Sequence, residues 1–231
     1  RRNKIIGVEV LHMPPGTRLS KLHKIYSQRA QALQMYIRPL ANYYRNKAIK
    51  IEEKVRIKKL IKASKGVVFS SGGFIFNKKM VNYYAPKYKG GIPLGTTGDN
   101  GAGIRLGQSV GAAVNLMDRV TAWRFLNPPL AWGQGIVVNK EGSRYSNEMV
   151  YGATLGDAMC ERQEGKAILI LDSSLRKEAW KQIGPGKVLP FQRNPAILSM
   201  LFNSKKSNTI AGLAKKCGMS PLKLYSSIEQ Y

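Results

Sequence analysis

Cysteine and long apolar runs are both scarce in this sequence of 231 residues. The two cysteines, Cys160 and Cys217, are too few for a disulfide framework, and they lack the spacing of metal ligands. No run of about 18 apolar residues is present, and the basic N-terminus precedes no apolar signal core. We therefore expect a soluble, cytoplasmic protein with no structural zinc.

Acidic side chains are the other scarce group, with 13 Asp and Glu against 38 Lys and Arg and a net charge of +25. Residues 1–66 contribute most strongly, because they hold 17 basic and three acidic side chains. A field of this sign attracts nucleic acids and anionic membranes. A solvated helical face is the alternative explanation, and it requires no partner.

The apolar pattern changes along the N-terminal part of the chain. Residues 4–12 alternate between apolar and polar positions, which predicts a β-strand. Residues 19–55 then carry apolar side chains every three or four positions, the pattern of an amphipathic helix. Pro39 removes a backbone donor, so we expect a break near Arg38 and a helical excursion over residues 17–63 made of two helices.

Glycine is concentrated in the middle of the chain. Residues 67–73 read as a short buried strand that ends in a serine and glycine turn, and Asn77 is a candidate N-cap for a following helix. The stretch 90–114 is the richest in glycine and leads into a helix that should begin near Asn100 or Gly101. Spacing alone leaves a mobile surface loop and a cofactor-binding loop as alternatives, since no GxGxxG or phosphate-loop pattern is present.

The C-terminal half alternates short strands and helices. Residues 136–146 predict a β-hairpin with Gly142 at the left-handed turn position. A helix is expected over 153–163, a strand over 167–171, and mainly short helices over 173–231.

Three segments together resemble the FAD-dependent family of fumarate reductases and 3-ketosteroid Δ1-dehydrogenases. VVFSSGGFIFN at 67–77 is similar to the strand and turn of that family, and TGDNGAGIRLGQSVGAAV at 97–114 is similar to its glycine loop and helix. NKEGSRYSNE at 139–148 is similar to its "N…G.RF.NE" hairpin. Three blocks in the family's order are more specific than any one of them.

The resemblance implies an α/β (or α+β) fold and a bound FAD. Residues 1–114 would form part of an interrupted, Rossmann-like FAD-binding domain, and residues 115–231 would form a capping domain with an incomplete C-terminus. The family's N-terminal GxGxxG unit and its C-terminal glycine-rich segment have no counterpart in this sequence. We therefore expect a partial chain that binds FAD poorly alone, because the helix N-terminus that faces the diphosphate is missing.

The resemblance also places the cofactor contacts. The positions implied near the adenosine or diphosphate end are Ser71, Gly72 and Gly73; those near the flavin are Thr97, Gly98, Asp99, Gly101 and Gly103; those where the capping domain meets flavin and substrate are Asn147 and Glu148. Many family members have Gly-Asp-Gly where this chain has Gly101-Ala102-Gly103, so Asp99 is the remaining candidate for the acidic role.

The substrate expected from the resemblance is bulky and apolar, in the manner of a steroid. Fumarate reductases carry a proton-donating arginine just after the "NE" pair, whereas Glu148 is followed by Met-Val-Tyr-Gly, and residues 123–135 are apolar and aromatic. Tyr151 is the nearest candidate for a catalytic tyrosine that polarises a ketone or takes a proton while the flavin accepts hydride. Its alternative role is that of a half-buried, hydrogen-bonded tyrosine. An electron acceptor or donor would be a further partner, and a fumarate reductase or succinate dehydrogenase is the alternative activity.

Two other kinds of function compete with the enzyme. Residues 209–231 place Ala214, Gly218 and Leu224 at helix-turn-helix spacing, but Lys223 is the only cation of the second helix, which disfavours nucleic-acid binding. The basic helices of residues 19–62 could instead attach the protein to an anionic membrane surface, unless their apolar stripe is buried against a neighbouring helix.

Overall fold

The computed structural model describes residues 4–124, 126 and 128–231, and it has a mixed α/β architecture. Within these residues, four short strands form two separate two-stranded antiparallel sheets among nine α-helices. Contacts divide the chain into two compact units. The first unit comprises the described residues up to Gly72 together with Ala102–Gly111, and the second comprises Gly73–Gly101 and Ala112–Tyr231.

The sheet of the first unit pairs β1 (Gly7–His12) with β2 (Ile57–Lys62). β1 confirms the predicted N-terminal strand. The backbones approach so closely at Gly7 that a Cβ there would overlap the carbonyl oxygen of Ile61. The assignment of residues up to 63 to helix was wrong at β2, because pairing with β1 outweighs the weak local preference of this basic segment.

Two antiparallel helices connect β1 to β2 in the sequence. They are α1 (Arg18–Leu33) and α2 (Arg38–Val55). The hydroxyl of Thr17 accepts a hydrogen bond from the amide of Ser20 and so begins α1. Pro39 occupies the first turn of α2, where its missing N–H has no carbonyl partner to lose. The predicted break near Arg38 is confirmed.

Small side chains form the seam between α1 and α2. Ala30, Ala41 and Ala48 are the buried residues of the two helices, with at most 4% of their surface exposed. Alanine lets two helices approach closely, and at these three positions it leaves no room for a larger side chain. The larger apolar side chains of the predicted stripe therefore stay partly in solvent, as at Leu19, Leu40 and Ile37.

The helix after the glycine-rich loop is α4 (Ala102–Ser109), close to its predicted start. The predicted buried strand at 67–69 was wrong. These residues adopt no regular structure, and Val68 is 91% exposed. A strand of this kind is stable only between neighbouring strands, and none lies beside it in the described residues.

In the second unit, a short helix and a turn pack against a longer helix. α3 (Lys78–Tyr84) is followed by a 3₁₀ turn at Pro86–Tyr88, and α5 (Gly152–Arg162) confirms the predicted helix. The buried Tyr88 hydroxyl lies 3.1 Å from Asp157 Oδ1 and 3.0 Å from Glu161 Oε1. Burial raises the pKa of the Tyr88 phenol, and the two carboxylates raise it further, so the phenol stays protonated.

The sheet of the second unit pairs β3 (Ile136–Val138) with β4 (Ile168–Ile170). The predicted hairpin over 136–146 was only partly right, because residues beyond the turn contribute a single bridge, from Arg144 to Val138. All three residues of β3 are buried and need an apolar partner, which the isoleucine-rich β4 offers and the polar return segment does not. Gly142 takes the predicted left-handed conformation, with φ of 96°.

Four helices complete the second unit, and they confirm the prediction of short helices. They are α6 (Ser173–Gln182), α7 (Pro190–Phe202), α8 (Ile210–Cys217) and α9 (Pro221–Glu229). α6 and α7 share a core around Ile183 and Met200, while α8 and α9 pack on β3 through Ala214 and Leu224. Throughout the described ranges, every helix is too short or too polar to cross a bilayer.

Candidate active site

Two glycine-containing segments that are distant in sequence meet in the second unit. The amide of Gly101 donates to the carbonyl of Gly73, and the amide of Phe76 donates to the carbonyl of Asp99, each over 2.9 Å. These bonds align the end of the first motif block with the end of the glycine loop. Gly73, Asp99 and Gly101, three of the predicted cofactor residues, are therefore held together by backbone alone.

Asn77 ties the glycine loop to the start of α3. Its side-chain oxygen accepts from the amide of Met80 and caps the helix, as expected from the sequence. Its side-chain nitrogen donates to the carbonyl of Asn100 over 3.0 Å. One asparagine thus fixes both the helix N-terminus and the loop that precedes α4.

Gly101 is a position where only glycine fits. Its φ of 78° lies in the left-handed region, and a Cβ there would overlap the thioether of Met80 and lie 3.1 Å from Cβ of Phe74. The flexible end of Met80 could shift, but Phe74 Cβ is fixed to the backbone and the positive φ disfavours any other residue. The loop turns at this residue because glycine alone adopts this φ without strain.

The tip of the glycine loop is folded on itself. The carbonyl of Thr96 accepts from the amide of Asp99 over 3.1 Å, and the Thr96 hydroxyl accepts from the amide of Gly98 over 3.3 Å. Gly98 is exposed, while Thr97 and Asp99 are half-buried. The three candidate residues Thr97, Gly98 and Asp99 therefore belong to one compact turn.

The remaining glycine-motif residues belong to the first unit, with Ser71 beside α4. A Cβ at Gly103 would overlap the Ser71 hydroxyl, so this side chain packs directly on the helix backbone. Gly72 has a φ of 75° and is exposed. Next to it in sequence, Gly73 has no atom within 4 Å of the place where a Cβ would stand, so that side of its backbone faces open space.

Glu148 is a buried carboxylate with a full set of partners. Its side chain is 1% exposed, accepts from the amide of Val137 over 2.8 Å, and pairs with Arg144, whose Nη2 lies 2.6 Å from Oε2. Burial is the strongest single influence and would raise the pKa of Glu148. The hydrogen bonds from Arg144 and Val137 together outweigh it, so that the pKa lies below its usual value and the group is ionised.

Asn147, the other candidate of this motif, is exposed. Its side-chain oxygen accepts from the amide of Met149 over 2.8 Å and closes a tight turn. Glu148 is the central residue of this turn, which precedes α5. The two neighbouring candidates thus differ sharply, because Glu148 supports the fold from inside while Asn147 lies at the surface.

Tyr151 lies at the surface immediately before α5. It is 64% exposed, and its ring contacts that of Trp123 edge to face with centroids 4.5 Å apart. Met149 nearby in sequence is also 64% exposed. The amide of Arg124 donates to the carbonyl of Gly152, which fixes the segment that carries Trp123 against the start of the helix. The half-buried, hydrogen-bonded tyrosine considered from the sequence is not what is observed.

Curated relatives match nearly the whole of this chain. A 3-oxo-5-alpha-steroid 4-dehydrogenase of Comamonas testosteroni is 34% identical over 221 residues, covering 94% of this chain and 40% of its own length. A probable fumarate reductase of Shewanella frigidimarina is 29% identical over 176 residues, covering 73% of this chain and 28% of its own length. The chain belongs to the family of 3-oxosteroid dehydrogenases and fumarate reductases.

The family resemblance carried by the three motif blocks is thereby confirmed. A solved 3-ketosteroid-Δ4-(5α)-dehydrogenase of Rhodococcus jostii superposes with a TM-score of 0.57 at 22% identity, over 83% of this chain and 44% of that one, which shows a shared fold. No family model matches the chain. The chain spans less than half the length of each of these three relatives.

Sequence reasoning missed Arg144 and Ser227, which hold the third motif block in place. The Ser227 hydroxyl accepts from the amide of Arg144 over 3.0 Å and donates to the carbonyl of Gly142 over 2.9 Å. Arg144 also lies over the ring of Tyr231. The four-residue interval between Arg144 and Glu148 was visible in the sequence, but it signals a pair only on a helix, and this segment is a turn.

The helix-turn-helix spacing at the C-terminal end has a structural explanation. Ala214 and Leu224 are fully buried in the core shared with β3, and Gly218 takes the left-handed C-cap of α8 with φ of 74°. The α8–α9 pair is therefore a packing unit of this member of the family.

Proposed function

We propose that this chain forms part of an FAD-dependent dehydrogenase that acts on a carbon–carbon bond beside a carbonyl group of a bulky, apolar, steroid-like substrate. The observation that carries the proposal is the exposed aromatic pair of Trp123 and Tyr151, in a homologue of a steroid dehydrogenase. The pair offers an apolar surface and one phenolic hydroxyl at the same place.

The glycine segments fit a flavin nucleotide. A nucleotide in extended form needs backbone that can be approached closely, and the open side of Gly73 and the turn at Thr97–Asp99 provide it. The ten cofactor contacts predicted in the sequence analysis run from Ser71 to Glu148. We assign them to a Rossmann-like cofactor domain and its capping domain. FAD, when bound, would supply the hydride acceptor and pass electrons to a separate acceptor.

The residues around Tyr151 favour a ketone over a dicarboxylate. A dicarboxylate needs at least two cationic groups, whereas the residues from Met149 to Gly152 carry no charge and Arg124 is the only cation of its segment. The Rhodococcus jostii enzyme was solved in complex with 4-androstene-3,17-dione, an apolar diketone. A substrate of that class matches the aromatic surface better than fumarate does.

Tyr151 is the residue to which we assign the polar chemistry. Removal of hydrogen beside a carbonyl takes away one hydride and one proton, and the proton becomes easier to remove when the carbonyl oxygen receives a hydrogen bond. The exposed Tyr151 hydroxyl can donate that bond, and as a phenolate the same oxygen can accept the proton. α5 begins at the next residue, so the backbone of Tyr151 is fixed by the helix N-terminus.

The first test measures the cofactor. The chain is expressed in its native reading frame with any residues that flank it, and the visible absorbance and FAD content after denaturation are recorded. About one FAD per chain is expected for a flavoprotein. A folded, colourless product would overturn the proposal.

The second test separates Tyr151 from other surface tyrosines. Tyr151→Phe is expected to lower kcat on 3-ketosteroids about a hundredfold, with FAD content and KM little changed. Tyr225→Phe, which removes another half-exposed hydroxyl on α9, should leave kcat unchanged. Faster turnover of fumarate than of any ketosteroid by the unmodified protein would favour the fumarate reductase activity instead.

A further inference from the structure

The end of the α1–α2 hairpin carries exposed apolar side chains where the helices turn. Met35, Tyr36, Ile37 and Leu40 are 37%, 53%, 50% and 39% exposed, and we call these four residues the hairpin tip. α1 has 16 residues, about 24 Å, and β1 and β2 join the hairpin at its other end. The hairpin tip is thus the part of the hairpin farthest from where the chain enters and leaves it.

The hairpin tip is an ordered turn. The carbonyl of Leu33 accepts from the amides of Tyr36 and Ile37 over 3.0 and 2.8 Å, and Arg45 reaches back to the side chains of Gln34 and Asn42. Its apolar side chains are therefore held outward by a hydrogen-bonded backbone. The buried Ala30 and Ala41 occupy the seam between the helices, and the side chains of the hairpin tip lie outside it.

Charge of one sign surrounds the hairpin tip. Between Glu9 and Glu52 the chain has eight basic residues and no acidic one. Arg38 adjoins the tip directly, and further along the helices Arg29 and Lys47 lie over tyrosine rings. Apolar and aromatic side chains at a tip, with cations behind them, match the layering of an anionic bilayer, in which charged headgroups cover an apolar interior.

We propose that the hairpin tip inserts into the surface of an anionic membrane. This goes beyond the proposed activity and does not depend on it. A second copy of the chain is a poor occupant, because two hairpins whose tips are flanked only by basic residues repel each other. Nucleic acid is also a poor occupant, because a phosphate backbone gains nothing from contact with Met35 or Ile37. An anionic bilayer satisfies both the apolar and the cationic groups.

The test is sedimentation of the full chain with vesicles of phosphatidylcholine, with and without about one third phosphatidylglycerol. Binding is expected only to the anionic vesicles, and the double variant Tyr36→Ser/Ile37→Ser should bind about tenfold more weakly. Ile37 is the N-cap of α2, where serine is a preferred residue, so the variant should fold at least as well. Leu222→Ser, at an 83% exposed position of α9, is the matched control and should bind like the parent chain.

A charge variant completes the design. Arg38→Gln should weaken binding about fivefold, whereas Lys223→Gln on α9 should not change it. Absence of binding to anionic vesicles would overturn the proposal, as would binding that the double variant leaves intact. Tighter binding to duplex DNA than to vesicles would identify nucleic acid as the partner instead of a membrane. Self-association that the double variant abolishes would identify a second copy of the chain.

Discussion

Apolar residues have opposite roles in two parts of the molecule. One part is the α1–α2 hairpin of the first unit, and the other is the segment of the second unit from β3 to α9, which we call the β3–α9 region. The hairpin buries three alanines and leaves most of its large apolar side chains partly in solvent. The β3–α9 region buries Val138, Leu224 and even the carboxylate of Glu148 almost completely. The hairpin thus keeps its large apolar side chains at the surface, while the β3–α9 region buries them in a core.

The comparison predicts where substitutions should matter. Large side chains in the β3–α9 region should be costly to truncate, and large side chains in the hairpin should not be. All three tryptophans, Trp123, Trp132 and Trp180, lie in the second unit, so their fluorescence reports its unfolding separately.

The largest effect is expected at Leu224, which is 0% exposed between α9 and β3. Leu224→Ala should lower the free energy of unfolding of the second unit by about 3 kcal/mol, because a cavity remains in the core. Urea unfolding followed by tryptophan fluorescence measures this. Leu222→Ala on the exposed face of the same helix is the control, and an equal loss there would break the comparison.

The next effect concerns the buried ion pair and depends on pH. Glu148→Gln should lower the free energy of unfolding by about 2 kcal/mol at neutral pH. The pKa of Glu148 is lower in the folded than in the unfolded state, so its contribution is present above about 4.5 and is lost as the pH falls from there through the folded pKa.

Urea unfolding of both forms at neutral pH and in acid tests this. The difference between the parent chain and Glu148→Gln should shrink as the pH falls. A difference that is the same at both pH values would mean that the carboxylate is not stabilised by Arg144.

In the hairpin, the sensitive positions should be the small ones. Ala41→Leu should destabilise α1 and α2 by about 1.5 kcal/mol, since the seam has no room for a larger side chain. Hydrogen exchange of the α1 and α2 amides measures this local stability. Leu40→Ala, next to it but 39% exposed, should change exchange rates little, and the reverse order would contradict the alanine seam.

The smallest effect is expected at Tyr88, which joins the 3₁₀ turn to α5. Tyr88→Phe removes its hydroxyl from Asp157 and Glu161 and should cost about 1 kcal/mol in the second unit. The exposed Tyr83→Phe on α3 should cost nothing measurable by the same fluorescence assay.

Local signals predicted much of the fold. The N-cap at Asn77, the break at Pro39 and the helical period of α5 depend on neighbouring residues, which the sequence displays directly. What failed depended on partners elsewhere. Residues 67–69 form no strand because none pairs with them, and β3 takes β4 because a buried strand requires an apolar neighbour.

The candidate site divides in the same way. The motif resemblance predicted Gly73, Asp99 and Gly101 as cofactor contacts, and the structure places them in one hydrogen-bonded arrangement. The resemblance could not reveal that the Glu148 carboxylate faces Arg144 inside the fold. It gives the identity and order of the residues but not the direction in which a side chain points. The assignment of flavin and substrate contacts to these residues remains a prediction.

The double hydrogen bond of Ser227 has a consequence for the order in which the protein can mature. Its hydroxyl closes the turn at Gly142 and Arg144, which the ribosome makes more than 80 residues earlier. Until α9 emerges, that turn lacks both a donor and an acceptor, and β3 lacks the cover of Leu224. The motif that carries Asn147 and Glu148 therefore reaches its final form only after α9 has been synthesised and has packed onto it.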